Sequence, residues 1–251
     1  MAIVTSNAIV LKKNDLRETS LLLDLYTEKS GKIKGVIKGI RSPMPQFGAV
    51  FEPFSLVKIV FYENKNKDIF IISQAELVEF FPGMRDSLEK LGYASYITEL
   101  INVSTESGEK NTGLYELLVD AYKLLCGNYS PKRIARIFEL KLLVQLGMTP
   151  AFTDCISCGK GIDPQHIAFS VKMGGCLCEL CKGKDVRSIR LLPGTYNFIM
   201  KVLASPVAIL SRVKVSQEVG RQLERVMKRF IEFHIGRRFK SMEFLRKADI
   251  T

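Results

Sequence analysis

Four of the six cysteines stand in two pairs, Cys155-x2-Cys158 and Cys178-x2-Cys181, with 19 residues between the pairs. A C-x-x-C turn aims two thiolates at one point about 2.3 Å away, and two such turns complete a tetrahedron around a Zn²⁺ ion. Gly159 after the first pair and Gly174-Gly175 before the second supply the backbone freedom that tight turns need. Four protein ligands leave no position for substrate or an activated water, so the site reads as one structural zinc. Cys176 stands two residues before Cys178 and is an alternative third ligand, although the x2 spacing favours Cys178. Disulfides compete with this reading, but a cytosolic compartment keeps thiols reduced. A thioredoxin-like redox pair fails because two C-x-x-C units share one short insert without a βαβ setting. Cys126, beside Leu124 and Leu125, reads as a small buried hydrophobe, His166 as a surface residue, and His234 as a neighbour of an apolar helix face.

The second chemistry is electrostatic. The 251 residues carry 37 Lys and Arg against 26 Asp and Glu, a net charge of +11. Residues 1–80 hold +2, residues 81–185 are neutral, and residues 186–251 hold +9. Such an excess points to a polyanion, either nucleic acid or an anionic surface. On a helix predicted over 216–235, Val219, Leu223, Val226, Phe230 and Phe233 fall within one apolar arc. Arg221, Arg225, Lys228 and Arg229 fall opposite, diluted by Glu224 and Glu232, and Arg237, Arg238 and Lys240 continue the charge past Gly236. A solvated face on a packed helix and a polyanion-binding face both fit this pattern.

The elements that must position these groups follow from periodicity. Ala8–Leu11, Ser20–Thr27, Lys32–Lys38, Phe54–Phe61 and Ile69–Glu76 are short β-rich runs separated by turn-prone breaks. Five strands in about 75 residues predict a small closed barrel of the OB type, which removes unpaired edges. From Pro82 the period becomes helical. Asp86 with Glu89 predicts a capping box, Thr112 caps a second helix, and Ser130-Pro131 opens a third that closes near Gly147. Helices return at Pro193–Ala204 and Ser216–Ile235. The expected fold is α+β: an N-terminal five-stranded OB-type β-barrel over 1–80, then an α-helical domain over 81–251 carrying a zinc-binding insert at 154–185. No run approaches the roughly 20 apolar residues that span a bilayer, and the N-terminal residues lack a signal-peptide pattern, so a cytoplasmic protein without a membrane partner is expected.

Motifs for catalysis are missing. The chain has no G-x-x-x-x-G-K-[ST], no H-E-x-x-H and no G-x-S-x-G. Gly31, Gly35 and Gly39 do not match G-x-G-x-x-G and fall in a predicted strand, where they allow barrel curvature. A binding protein is expected rather than an enzyme. A zinc-containing RNA- or ribosome-binding adaptor and a hydrolytic metalloenzyme are the rival readings.

A barrel, a helical body, a zinc insert and a basic C-terminal region, in that order, resemble the RecO family of bacterial recombination mediators. The stretches that carry the resemblance are AIVLKKNDLRETSLLLDLYTEKSGKIKGVIKGIR at 8–41, FGAVFEPFSLV at 47–57, FELKLLVQLGMTPAFTDCISCG at 138–159, GGCLCELC at 174–181 and FHIGRRFKSMEFL at 233–245. The resemblance implies binding of single- and double-stranded DNA, annealing of complementary strands, engagement of the tail of single-stranded DNA-binding protein, and work with RecR in loading RecA, in the bacterial cytoplasm at the nucleoid. Its basic barrel segment maps onto Lys34, Lys38 and Arg41, while Ser42, Met44 and Gln46 are uncharged where many relatives carry Arg or Lys. The DNA contacts are therefore expected at Lys34, Lys38 and Arg41 and, with more weight, at Arg221, Arg225, Lys228, Arg229, Arg237 and Arg238. The segment Arg136–Leu140 matches the family's region near the partner-tail pocket, which makes Lys132, Arg133 and Arg136 the expected tail-binding cations.

Overall fold

The strands of the first 79 residues close on themselves. In a computed structural model that describes residues 2–17, 20–38, 48–63, 68–210 and 213–248, β1 (Ala2–Arg17), β2 (Ser20–Thr27), β3 (Gly31–Lys38), β4 (Leu56–Glu63) and β5 (Ile69–Glu79) form a closed barrel in the order β1-β2-β3-β5-β4. Neighbours are antiparallel except β3 and β5. This is the expected five-stranded OB-type barrel. Strand β1 runs far beyond the predicted Ala8–Leu11, because residues 2–9 pair with β4 while residues 8–17 pair with β2. One strand bending between two partners closes the barrel, and its outward residues need not be apolar.

Ala8, Val10, Leu23, Leu25, Ile33, Ile59 and Phe61 fill the barrel. A Cβ on Gly35 would lie 2.5 Å from Ile72 Cδ1, so the missing side chain lets β5 approach β3. Gly31 has φ +61°, and a Cβ there would meet Glu109 O at 1.9 Å. Gly39 and Arg41 lie outside the described residues.

Helices follow: α1 (Leu88–Ser104), α2 (Thr112–Cys126) and α3 (Pro131–Gln145). Next come a three-stranded sheet of β6 (Ile167–Ser170), β7 (Gly175–Cys178) and β8 (Ile189–Arg190), then α4 (Pro193–Ala204), the short α5 (Val207–Leu210), α6 (Gln217–Ile235) and α7 (Lys240–Lys247). Ser130 caps α3 as expected, and Ser216, expected as the first helical residue, is the cap of α6. The caps of α1 and α2 are Ser87 and Asn111, each accepting a backbone N–H three residues on, where Asp86 and Thr112 were expected. No helix among the described residues is long and apolar enough to cross a membrane.

Packing divides the chain into two units, Met1–Asn128 with Phe239–Thr251, and Tyr129–Arg238. The change from strand to helix period falls at 80/81, inside the first unit. In that unit α7 lies on α1. Glu99 accepts the backbone N–H groups of Lys240 at 3.0 Å and Ser241 at 2.9 Å, so a carboxylate caps the positive end of the helix. Leu245 fills a notch over Gly92, where a Cβ would come within 2.4 Å of its Cδ2, and Tyr96 meets Phe239 edge-on at 5.6 Å. Lys32 donates to the carbonyls of Asn102, at 2.7 Å, and Thr105, so this barrel cation closes the C-terminal end of α1.

In the second unit α3, α4 and α6 pack on one another. Helix α6 buries Leu223, Val226, Met227, Phe230 and Ile231. Met227 and Ile231 join the stripe, the expected Val219 is half-buried against Gly194, and the expected Phe233 leaves it, 56% exposed. At ~100° per residue, Phe233 sits about a quarter turn from the middle of the buried stripe, beside Arg229.

Candidate metal centre and nucleic-acid interface

The two C-x-x-C turns meet. The first leaves a loop closed by Cys155 N donating to Lys160 O at 2.7 Å and Gly159 N donating to Cys155 O at 2.8 Å. Gly159 takes φ +72° there, a conformation that side chains strain to adopt. The second begins at the last residue of β7, paired to Ile167 of β6, and turns with Cys181 N donating to Cys178 O at 3.0 Å. The sulfurs of Cys155, Cys158, Cys178 and Cys181 all lie within 4.8 Å of one another, and the Cys158 and Cys178 sulfurs are 3.8 Å apart. A tetrahedron with 2.3 Å arms has edges of about 3.8 Å, so the four thiolates can hold one metal ion. Cys176, fully buried, stands outside that set, which resolves the choice of third ligand in favour of Cys178.

Electrostatics separate the thiols. Burial opposes the thiolate of Cys155, and backbone N–H groups of Cys178, Ser157 and Cys158 overcome it, bringing this thiol down to about 6. Burial pushes Cys181 up to about 11, opposed by a hydrogen bond with Ser157 and aided by the neighbouring thiols. Cys176 rises to about 12, through burial first and then the charge of Cys155. The Cys155 sulfur is thus ready to ligate at neutral pH, and a bound cation would draw the proton from Cys181. His166 is exposed, as the sequence indicated, sits 2.9 Å from Asp163 and stands outside the four-cysteine set.

The metal centre is tied to the helices by a chain of rings. Phe152 stacks on Phe169 of β6 at 5.4 Å, Phe169 meets Phe230 of α6 at 5.8 Å, and Phe230 meets His234 at 4.2 Å. His234 Nε2 donates to Val171 O at 3.2 Å.

The expected DNA-contacting cations are placed as follows. Arg221, Arg225, Arg229, Arg237 and Arg238 are exposed, Lys228 is half-buried, and Lys34 and Lys38 are exposed on β3. The structure records no ion pair for any of these eight among the described residues. The charge itself has a sharper address than a C-terminal region: unit Tyr129–Arg238 carries 19 Lys and Arg against 8 Asp and Glu, or +11, and the other unit carries 18 against 18. Two of the three expected tail-binding cations are paired within the protein. Arg136 is 2% exposed and pairs with the fully buried Glu139 at 2.8 Å, and Lys132 pairs with Glu224 of α6 at 2.8 Å. Arg133 is half-buried. An acid three residues after an arginine, flanked by Ile134, Ala135, Ile137, Phe138 and Leu140, was the available signal for this pairing.

Residues 1–81 match the family pattern described as Recombination protein O N terminal, and residues 85–243 match Recombination protein O C terminal. Among relatives, the DNA repair protein RecO of Pelotomaculum thermopropionicum is 32% identical over 245 residues, spanning 98% of this chain and 94% of that protein. Its counterpart in Desulforamulus reducens is 33% identical over 245 residues with the same coverage. That of Alkaliphilus metalliredigens is 32% identical over 247 residues, spanning 98% of this chain and 99% of its own length. With both halves of the pattern present in order on a barrel, a helical body and a four-cysteine centre, the chain belongs to the recombination protein O (RecO) family.

Proposed function

We propose that this RecO-family chain is a non-catalytic recombination mediator in DNA repair. It binds single- and double-stranded DNA, anneals complementary strands, engages the tail of single-stranded DNA-binding protein, and acts with RecR in loading RecA, in the cytoplasm at the nucleoid. The observation that carries this reading is the confinement of the whole +11 to residues 129–238, with arginines along α6 that have no ion pair among the described residues. Two DNA strands repel through their phosphates, and a surface that neutralises both lowers that repulsion and releases counterions. The metal is zinc, held by Cys155, Cys158, Cys178 and Cys181. Its role is to cross-link the two turns, because four protein ligands leave no open position for a reacting group.

The test is annealing of complementary oligonucleotides at two salt concentrations, with and without single-stranded DNA-binding protein, beside RNA binding and metal analysis. The expected result is annealing that weakens steeply with salt and persists on coated strands, with about one zinc per chain. Absence of annealing together with tighter binding to RNA would overturn the reading in favour of an RNA-binding adaptor.

A further inference from the structure

Phe233 leaves the buried stripe of α6 and opens on a cleft of about 660 Å³, within the range of roughly 300–1,000 Å³ typical of ligand sites. Its walls come from three places in the sequence. The turn after β6 contributes Val171 and Lys172, the segment after the second cysteine turn contributes Asp185 and Arg187, and α6 contributes Arg229, Glu232 and Phe233. His234 backs the Phe233 ring edge-on at 5.1 Å and holds the β6 turn through Val171 O. The cleft therefore presents an exposed aromatic ring in one lining with three cations.

Its chemistry selects the occupant. Lys172, Arg187 and Arg229 ask for anions, and the phenyl ring asks for a flat apolar face. Asp185 is spent within the protein, accepting Ser170 Oγ at 2.5 Å and Arg187 N at 2.9 Å. Glu232 faces the same cleft and would repel the carboxylates of an acidic peptide, yet it can accept a hydrogen bond from the exocyclic amino group of a base. Phosphates flanking a base satisfy all of these at once, and the cations are continuous with Arg225 and Arg221 along α6. In a duplex the base faces are covered by their neighbours, so only an unpaired strand can present one.

We propose that this cleft is a base-stacking subsite for single-stranded DNA, with one base on Phe233 and the adjoining phosphates on Arg229 to one side and Lys172 and Arg187 to the other. The proposal rests on the DNA-binding reading above and adds to it a discrimination between strand states. Electrostatics alone would hold either form, whereas stacking on an alanine-sensitive ring favours the single strand.

The chain contains no tryptophan, so Phe233→Trp places a single indole in the cleft of the full-length protein. Single-stranded oligonucleotide should quench that indole, and a duplex of equal phosphate content should not. Phe233→Ala should weaken single-strand binding about 5- to 100-fold, leaving duplex affinity and its salt dependence as in the unsubstituted chain. Equal thermal stability of both variants checks that the exposed ring is not structural. Loss of both affinities in parallel, no loss of either, or quenching by an acidic phenylalanine-ended peptide in place of the oligonucleotide would overturn the subsite while DNA binding stands. Failure of the unsubstituted protein to bind either DNA would overturn the proposed function and the subsite with it.

Discussion

Neutralising Arg225, Arg229 and Arg237 to Gln should flatten the salt dependence of DNA binding by about half. The six expected cations of α6 and the residues after it, Arg221, Arg225, Lys228, Arg229, Arg237 and Arg238, have no ion pair among the described residues. If each meets one phosphate of a single strand, the slope of log affinity against log salt is about −4, at ~0.7 per contact. Between 50 and 200 mM salt that amounts to a loss of about 300-fold, and with three contacts removed the slope falls to about −2 and the loss to about 20-fold. Fluorescence anisotropy of a labelled oligonucleotide across this salt range measures both slopes. The barrel pair Lys34→Gln, Lys38→Gln should lower the slope by no more than about 1.4, its two charges' share. An unchanged slope in the triple variant, or a larger drop in the barrel variant, would refute the placement of the main DNA contact on residues 129–238.

Other perturbations test the interior. Arg136→Ala leaves Glu139 charged and buried and should cost about 3–5 kcal/mol in denaturant unfolding, whereas replacing both Arg136 and Glu139 by apolar residues should be near neutral; equal costs would mean that the pair is not coupled. The double variant Cys155→Ser, Cys158→Ser should lose its metal and destabilise residues 129–238 by more than about 4 kcal/mol while hydrogen exchange in the barrel strands is unchanged; full stability would contradict a structural role. Burial, and then the charge of Glu109, pushes the Tyr26 phenol up to about 12 from 10. A raised acid favours the fold only while protonated, so that stability is complete below pH 10 and is lost as pH climbs toward 12. The Tyr26 hydroxyl is also buried with no hydrogen-bond partner among the described residues, so Tyr26→Phe should be neutral or stabilising by about 1 kcal/mol and should reduce the alkaline loss; destabilisation at neutral pH would show that the hydroxyl has a partner.

Much of this was legible because the signals are local. Strand Ser20–Thr27 is an apolar run between turn residues, and it forms with those bounds. The four cysteines carry their geometry in their spacing. Ser130-Pro131 announces a helix start by removing an N–H that has no use there. What escaped depends on partners distant in sequence. The full length of β1 is set by two different neighbours, and α7 reads as a basic run because its reason to fold, the Gly92 notch and the Glu99 carboxylate, lies some 140 residues earlier. The helical wheel placed Phe233 at the edge of an arc, where packing decides the side, and Met227 and Ile231 took the interior instead. Arg136 looked available because a charge on a helix is usually solvated, and the acid that buries it stands one turn on.

The return of α7 to the first unit also orders events during synthesis. Residues 129–238 form a continuous stretch and can fold as soon as they leave the ribosome, while the barrel unit lacks its last helix until residues 239–248 have emerged in their turn. Leu245 cannot reach Gly92, nor Ser241 reach Glu99, before residues 241–245 have left the ribosome. The usual N-to-C sequence of maturation is thereby inverted: the cationic, cysteine-bearing insert can mature first, and the host that encloses it in sequence is completed last.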